Sequence, residues 1–383
     1  MRRENITPRP NWQEKVARDG LVWHSVDGAP YWNESAFYSF TRREIDELEN
    51  ATNKLYKMFL EAGQYVIDNN KFDLFGIQQW CVPLIKEAWD SEPPALNYGR
   101  FDLGFDGNGP PKLFEFNCDT PTSLLEAAVI QWFWKEDQFP RKNQFNNIHE
   151  DLIAKWKDIS PYLGSKVVHF AHFADTAGED IITTAYMMDL AREAGLLPEH
   201  LLMHDIGWQQ VRTGELGKFV DLNQAEIATL YKLYPWEWMV AEPFGKNLLH
   251  NFGRTNWIEP IWKMIWSNKA ILAILWEMFP NHPYLLRAGF EEPKSGIYVR
   301  KPLLAREGAN VSIRQDGQDL AALDGPYQGP YIYQSYCALP NFNENIPVVG
   351  SWCVDGFACG IGIREDGPIT SNLARFVPHI IDG

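Results

Sequence analysis

The stretch from Arg100 to Ala127 constrains this chain more than any other: R-F-D-L-G-F-D-G-N-G-P-P-K-L-F-E-F-N-C-D-T-P-T-S-L-L-E-A. Phe101, Leu103 and Phe105 alternate with Arg100, Asp102 and Gly104. A G-N-G-P-P turn follows, and the alternation resumes from Leu113 to Asn117. Period-two patterning on both sides of a Gly/Pro turn predicts a β-hairpin. Arg100 and Asp102 then share one face of their strand, and Glu115 and Asn117 one face of theirs. If the strands pair, a guanidinium, two carboxylates and an amide come together. Hard divalent cations that carry phosphates prefer such oxygen sets; the alternative at this point is an ordinary polar sheet face. Thr120, Thr122 and Ser123 follow directly and precede a helix start, a place suited to holding an anion.

The rest of the composition limits what that hairpin can serve. With 383 residues, 45% apolar and 14% aromatic, the chain can bury a large core divided over two or three packed units. Its 16 Trp predict wide aromatic contact surfaces. Fifty acids against 35 basic residues give a net charge of −15, which argues against phosphate-backbone contact with nucleic acid. No apolar run is long enough to span a membrane, and the amino-terminal M-R-R-E-N has no apolar stretch behind it to form a secretion signal. The five cysteines are odd in number and form no C-x-x-C pair, so reduced thiols and a cytoplasmic location are expected, and no structural zinc site is expected from them.

Residues 1 to about 40, rich in Pro, Trp and Tyr, read as an extended arm. Thr41-Arg42-Arg43-Glu44 is a capping box that opens a helix carrying Ile45, Leu48, Leu55 and Phe59. After the hairpin, helices are expected from Thr122 to about Lys135 and between Gln144 and Trp156. A small parallel α/β unit is expected from about 165 to 255. Its strand Lys166–Ala171 is followed by a polar loop 175–180, a helix through Ala194, and strands at Leu201–Met203 and Met239–Ala241. Ile258 to Phe279 reads as one nearly continuous helix. From Gly296 onward the pattern is of strands: 297–301, 310–314, 331–336, 347–354 and 358–364.

Three further features could work with the hairpin. A strand delivers Lys301 to a loop with Arg306, Gly308 and Asn310, where a small-residue backbone and a lysine could wrap phosphate oxygens. The G-x-x-x-x-G-K-S/T pattern is absent, so this is no P-loop, and a plain glycine turn explains the loop equally well. Lys269 is the only lysine or arginine between Met264 and Leu286, inside an apolar run, and could simply snorkel to solvent. Tyr331 to Tyr336 carries one amide, Gln334, and could wall a flat heterocycle or be plain core. His169 and His172, three apart on a strand, point to opposite faces and read as structural. Cys118 has no histidine partner in its motif and makes a poor nucleophile candidate.

Taken together, R-F-D…F-E-F-N-C-D-T-P-T-S-L-L-E-A, S-N-K-A-I-L, V-R-K-P-L-L-A-R-E-G-A-N-V, Y-I-Y-Q and G-I-G-I-R-E-D resemble the glutathionylspermidine synthase family, in its ATP-grasp synthetase domain. The resemblance runs from about Asn5 to the carboxyl end and is nearest to stand-alone members without an amidase domain. It implies an α+β or α/β ATP-grasp fold with permuted order of parts: a mixed antiparallel core sheet, an inserted parallel unit and a lid. The corresponding segments are 1–164 with the metal hairpin, 165–255 inserted, 256–335 lid region and 336–383 returning to the core.

The activity implied is ATP-dependent carboxylate–amine ligation through an acyl phosphate, joining a small peptide-like acid to an amine, polyamines included. Asp102, Glu115 and Asn117 would hold Mg²⁺, two ions in all. Arg100 would face the transferred phosphoryl group, with Arg364 near the reacting centre. Lys269 and Lys301 would bind ATP phosphates under a 304–310 lid carrying Arg306 and Gly308, and Gln334 would lie at the adenine pocket. Thr120, Thr122, Glu179 and Asp180 would meet the substrates. The chain departs from the family where synthetases of known substrate carry Asp-Ser-Ala-Ser and then Cys; here Asp119-Thr120-Pro121-Thr122-Ser123 stands instead. Glutathione and spermidine themselves therefore do not follow from the resemblance. The reading from another class is a catalytically silent nucleotide-binding regulatory or scaffold protein with the same fold.

Overall fold

The computed structural model describes residues 1–26, 28–174, 178–210, 216–251 and 253–382. Its centre is a five-stranded antiparallel sheet in the order Arg375–Val377, Phe357–Asp366, Ile346–Val354, Tyr98–Gly104, Lys112–Asn117. The predicted hairpin forms one edge of this sheet, and strands from the far end of the chain complete it. Phe101 and Phe116 stack with centroids 3.7 Å apart on the side covered by the Arg42–Asp68 helix, where Phe59 meets both rings. That helix starts at the expected capping box, with Thr41 accepting from the Glu44 N–H. Burying the aromatic face forces Arg100, Asp102, Glu115 and Asn117 to the other one.

A second antiparallel sheet runs Ala288–Gly289, Tyr331–Ser335, Ile297–Pro302, Ser312–Gln315, Gln318–Ala322. A third, wholly parallel sheet runs Asn256–Ile258, Thr229–Leu233, Val167–His172, Leu197–Leu202, with the Glu179–Glu193 helix as a crossover. The expected small α/β unit is therefore present, but its details differ. Met239 to Ala241 lie in a short helix, Trp236–Ala241, because Pro235 ends the preceding strand and Trp236, Met239 and Val240 then bury one helical face. Glu179 and Asp180 open the crossover helix rather than closing a loop; residues 175–177 of that loop lie outside the described residues.

Two other expectations need correcting. The amino-terminal segment does lie on the body, but with regular elements rather than as an extended arm: Arg2–Asn5 and Ala36–Phe40 join His379–Ile381 in a three-stranded sheet, and Trp12–Arg18 is helical. The 258–279 run is not one helix but a strand end, a one-turn helix at Lys263–Trp266, and a helix at Ile271–Met278. The break falls at Ser267–Ala270, where the Lys269 N–H donates to Leu303 C=O, just past the strand Ile297–Pro302. The apolar run concealed that break, because both pieces are buried on most sides.

Candidate active site

Arg100, Asp102, Glu115, Asn117, Thr120, Thr122, Glu179, Asp180, Lys269, Lys301, Arg306, Gly308, Gln334 and Arg364 all line one cavity of about 320 Å³ between the three sheets, whereas Ser123 and Asn310, also singled out in the sequence, do not. At its floor the hairpin register sets Asp102 opposite Glu115 and Arg100 opposite Asn117. Arg100 donates through Nε to Asp102 Oδ1 (2.7 Å), and Arg364 Nη2 donates to Asp102 Oδ2 (2.6 Å). Asn117 Nδ2 lies 3.2 Å from both Asp102 Oδ2 and Glu115 Oε1, so the three side chains form one polar knot. Arg100 lies flat only because Gly350 is beneath it; a Cβ there would stand 2.7 Å from Arg100 Cδ.

Lys269 and Lys301 meet this knot from the side. Lys269 Nζ is 3.0 Å from Glu115 Oε2 and also donates to Ala305 C=O. Lys301 Nζ donates to Gln334 Oε1 (2.7 Å) and Phe114 C=O (3.1 Å). Burial works against the Glu115 carboxylate, but the Lys269 and Lys301 ammoniums outweigh it and hold it well below the usual carboxylate range. Burial, opposed by Glu115 and reinforced by Lys269, pushes Lys301 down to about 8. Gln334 spends its amide on protein, accepting from Lys301 and donating to Leu113 C=O, so it ties the second sheet to the hairpin.

The loop after the hairpin is anchored by residues the sequence reading missed. Asp119 accepts from Lys232 Nζ (2.6 Å) and from the Trp236 N–H (2.9 Å), with both charged side chains almost fully enclosed. Thr120 Oγ1 accepts from Arg306 (2.6 Å), whose other nitrogen donates to Glu237 (2.8 Å) and whose guanidinium lies 5.8 Å from the Trp238 ring centre. Arg306 thus faces the parallel unit rather than standing free over the cavity. Thr122 C=O accepts from Arg100 (2.5 Å), and Ser123 takes a left-handed conformation, φ 63°. Behind it, Tyr31 donates to Glu126 (2.8 Å). Burial, helped by the nearby Glu179, pushes Glu126 up to about 7, and burial also raises Glu179. A single lysine in the apolar L-Y-K-L-Y strand was the available signal for Lys232; nothing local marked Glu126 or Glu237.

The cavity gathers four cations, Arg100, Lys269, Lys301 and Arg364, and the carboxylates Glu179 and Asp180 line it too, with Glu179 within electrostatic reach of Arg100 and Arg364. Cys118 is fully buried beside Ser267, and burial pushes its thiol up to about 12, so it is no nucleophile. A sequence profile described as glutathionylspermidine synthase preATP-grasp matches residues 3–382. The chain belongs to the glutathionylspermidine synthase family. It is an enzyme of the ligase kind.

Among relatives, a Haemophilus influenzae protein provisionally named an acid–amine ligase is 40% identical over 97% of both chains. The trypanothione synthetase of Crithidia fasciculata and the bifunctional glutathionylspermidine synthetase/amidase of Escherichia coli are each 28% identical, over 84% and 86% of this chain. This chain spans about half the length of those two, 52% and 56%. In fold it resembles a glutathione synthetase-like effector from Globodera pallida, with TM-score 0.57 and 10% identity over 98% of this chain and 100% of that one. Like that protein, this member of the family is a mixed α and β molecule. Among the described residues no helix is long and apolar enough to cross a membrane.

Proposed function

We propose that this protein is a Mg²⁺- and ATP-dependent ligase that joins a peptide-like carboxylate to an amine through an acyl phosphate, on a permuted ATP-grasp scaffold. The observation that carries the reading is the shared cavity: paired carboxylates flanked by four cations, with Glu179 and Asp180 from an acidic helix start lining the same space. Asp102, Glu115 and Asn117 fit a Mg²⁺ ion, since two carboxylates and an amide already converge within hydrogen-bond reach and their neighbours balance their charge. When bound, the ion neutralises phosphate charge and orients the oxygens it holds.

The chain's own residues account for the rest. A triphosphate and a carboxylate repel, and Lys269, Lys301, Arg100 and Arg364 set fixed positive charge around the place where they would meet. An acyl phosphate must be kept from water. The sheet at 297–335 would act as the lid, with its 304–310 loop already packed on 369–370: a Cβ on Gly308 would stand 2.4 Å from Thr370 C=O. Glu179 and Asp180, in the first turn of their helix, would receive the amine. Residues 1–164 and 336–383 would form the core, with 165–255 inserted and 256–335 serving as lid region.

The test is ADP and phosphate release on mixing the protein with Mg-ATP, a panel of small peptides, and amines including polyamines. Release that needs both an acid and an amine is the expected result. Tight ATP binding with silence across the panel would instead favour a nucleotide-binding regulatory protein.

A further inference from the structure

The parallel unit holds a second polar cluster that the ligase reading leaves without a role. His169 lies mid-strand in Val167–His172, in register with Glu199 on the neighbouring edge strand Leu197–Leu202. Asp221, just after the strand Lys218–Val220, closes on the same point. His169 is 3% exposed, and neither ring nitrogen has a hydrogen-bond partner among the described residues. A buried imidazole without partners is costly, so this position calls for an explanation.

The distances supply one. His169 Nε2 stands 3.6 Å from Glu199 Oε2 and 3.6 Å from Asp221 Oδ2. Those separations exceed a hydrogen bond. They match the upper end of the roughly 3.3–3.6 Å edge of a tetrahedron whose nitrogen and oxygen ligands sit about 2.0–2.2 Å from a central zinc ion. The ligand atoms of all three residues lie within 4.8 Å of one another. Asp221 Oδ1 already accepts the Asn223 and Ala225 N–H groups (2.9 and 2.8 Å), which fixes the carboxylate and leaves Oδ2 for a single bond. The Glu199 side chain is about half exposed, giving an entry path from solvent and room for a water ligand.

We propose that His169, Glu199 and Asp221 bind a divalent cation of the zinc class through one imidazole nitrogen and two carboxylate oxygens. An imidazole ligand selects zinc-like ions over Mg²⁺. None of the three residues lines the central cavity, so the ion is structural. It fastens the edge strand Leu197–Leu202 and the paired strands Gly207–Gln209 and Lys218–Val220 to the centre of the parallel sheet. From sequence alone His169 reads as structural without a metal; Glu199 and Asp221 come from segments that no local motif joins to it.

The full-length protein, stripped with a chelator and held in excess Mg²⁺ to occupy the hairpin site, is titrated with zinc chloride by calorimetry. Bound zinc is counted by elemental analysis after dialysis. One retained zinc per chain is expected. Glu199→Gln should weaken zinc binding about tenfold or more, and His169→Ala should lose the retained ion. If His169→Ala fails to fold, the exposed Glu199 position still decides. No retained zinc in the wild type, or equal zinc affinity in Glu199→Gln and the wild type, overturns the proposal.

Discussion

Asp102 is held by two arginines and one amide at once, and that crowding makes it the most exacting residue of the site. Asp102→Ala and Glu115→Ala should each abolish Mg²⁺-dependent ATP turnover, at least a hundredfold, while circular dichroism shows the fold intact; normal turnover in both would remove the ion assignment. Lys301 adds a pH signature. It is charged below about 8 and neutral above, and a polyphosphate beside it would raise its pKa. Nucleotide affinity should therefore fall as pH rises from 8 towards 10, with proton uptake on binding visible by calorimetry in buffers of different ionisation enthalpy. Lys301→Met should flatten that slope, and a variant with the wild-type slope would point to another group. Glu126 bears on stability. Its folded value of about 7 lies above the unfolded value of 4.5, so the native state binds more protons between those limits. Its contribution is therefore present at low pH and lost as pH rises through the window. Glu126→Gln should raise stability at pH 8 by up to roughly 3 kcal/mol and change it little at pH 5, read from urea unfolding at both.

At the scale of elements, the buried Asp119–Lys232 pair joins the substrate loop to the parallel unit. Removing one partner leaves a buried charge alone, so Lys232→Ala should cost about 3–5 kcal/mol in chemical denaturation. Asp119→Asn combined with Lys232→Met should recover much of that loss; if the double variant is no better than the single, the pair is not coupled in this way. These elements also show what the sequence disclosed. The hairpin was readable because alternation and a Gly/Pro turn are local signals, and its pairing then fixed which polar residues meet. The break at Ser267–Ala270 was not readable, because it is met by a backbone bond to Leu303, a residue 34 positions away with no local signal. Lys232 and Glu126 were missed for a related reason: Asp119 and Tyr31 lie 113 and 95 residues away, and no pattern in their own segments names those partners.

At the scale of the molecule, the three sheets are tied by polar bonds as well as by apolar packing. Tyr98 meets Tyr231 (2.7 Å), Lys301 meets Phe114 C=O, and Trp236 meets Asp119. Such cross-ties predict one cooperative unfolding transition, with tryptophan fluorescence and far-ultraviolet circular dichroism superimposing in urea. An early, separate loss of parallel-sheet signal would show that the ties are weak. The central sheet has one more consequence. Tyr98–Gly104 pairs directly with Ile346–Val354, and Asp102 is completed by Arg364. On a ribosome the hairpin would emerge about 240 residues before its neighbour strand, an interval on the order of ten to fifty seconds at ordinary elongation rates. Through that interval the acidic knot would lack Arg364, the second of its two arginines, and the hairpin would have an unpaired edge. The nascent chain is thus a natural client for a chaperone that shields strand edges, and catalytic competence would arrive only with the last strands to be made.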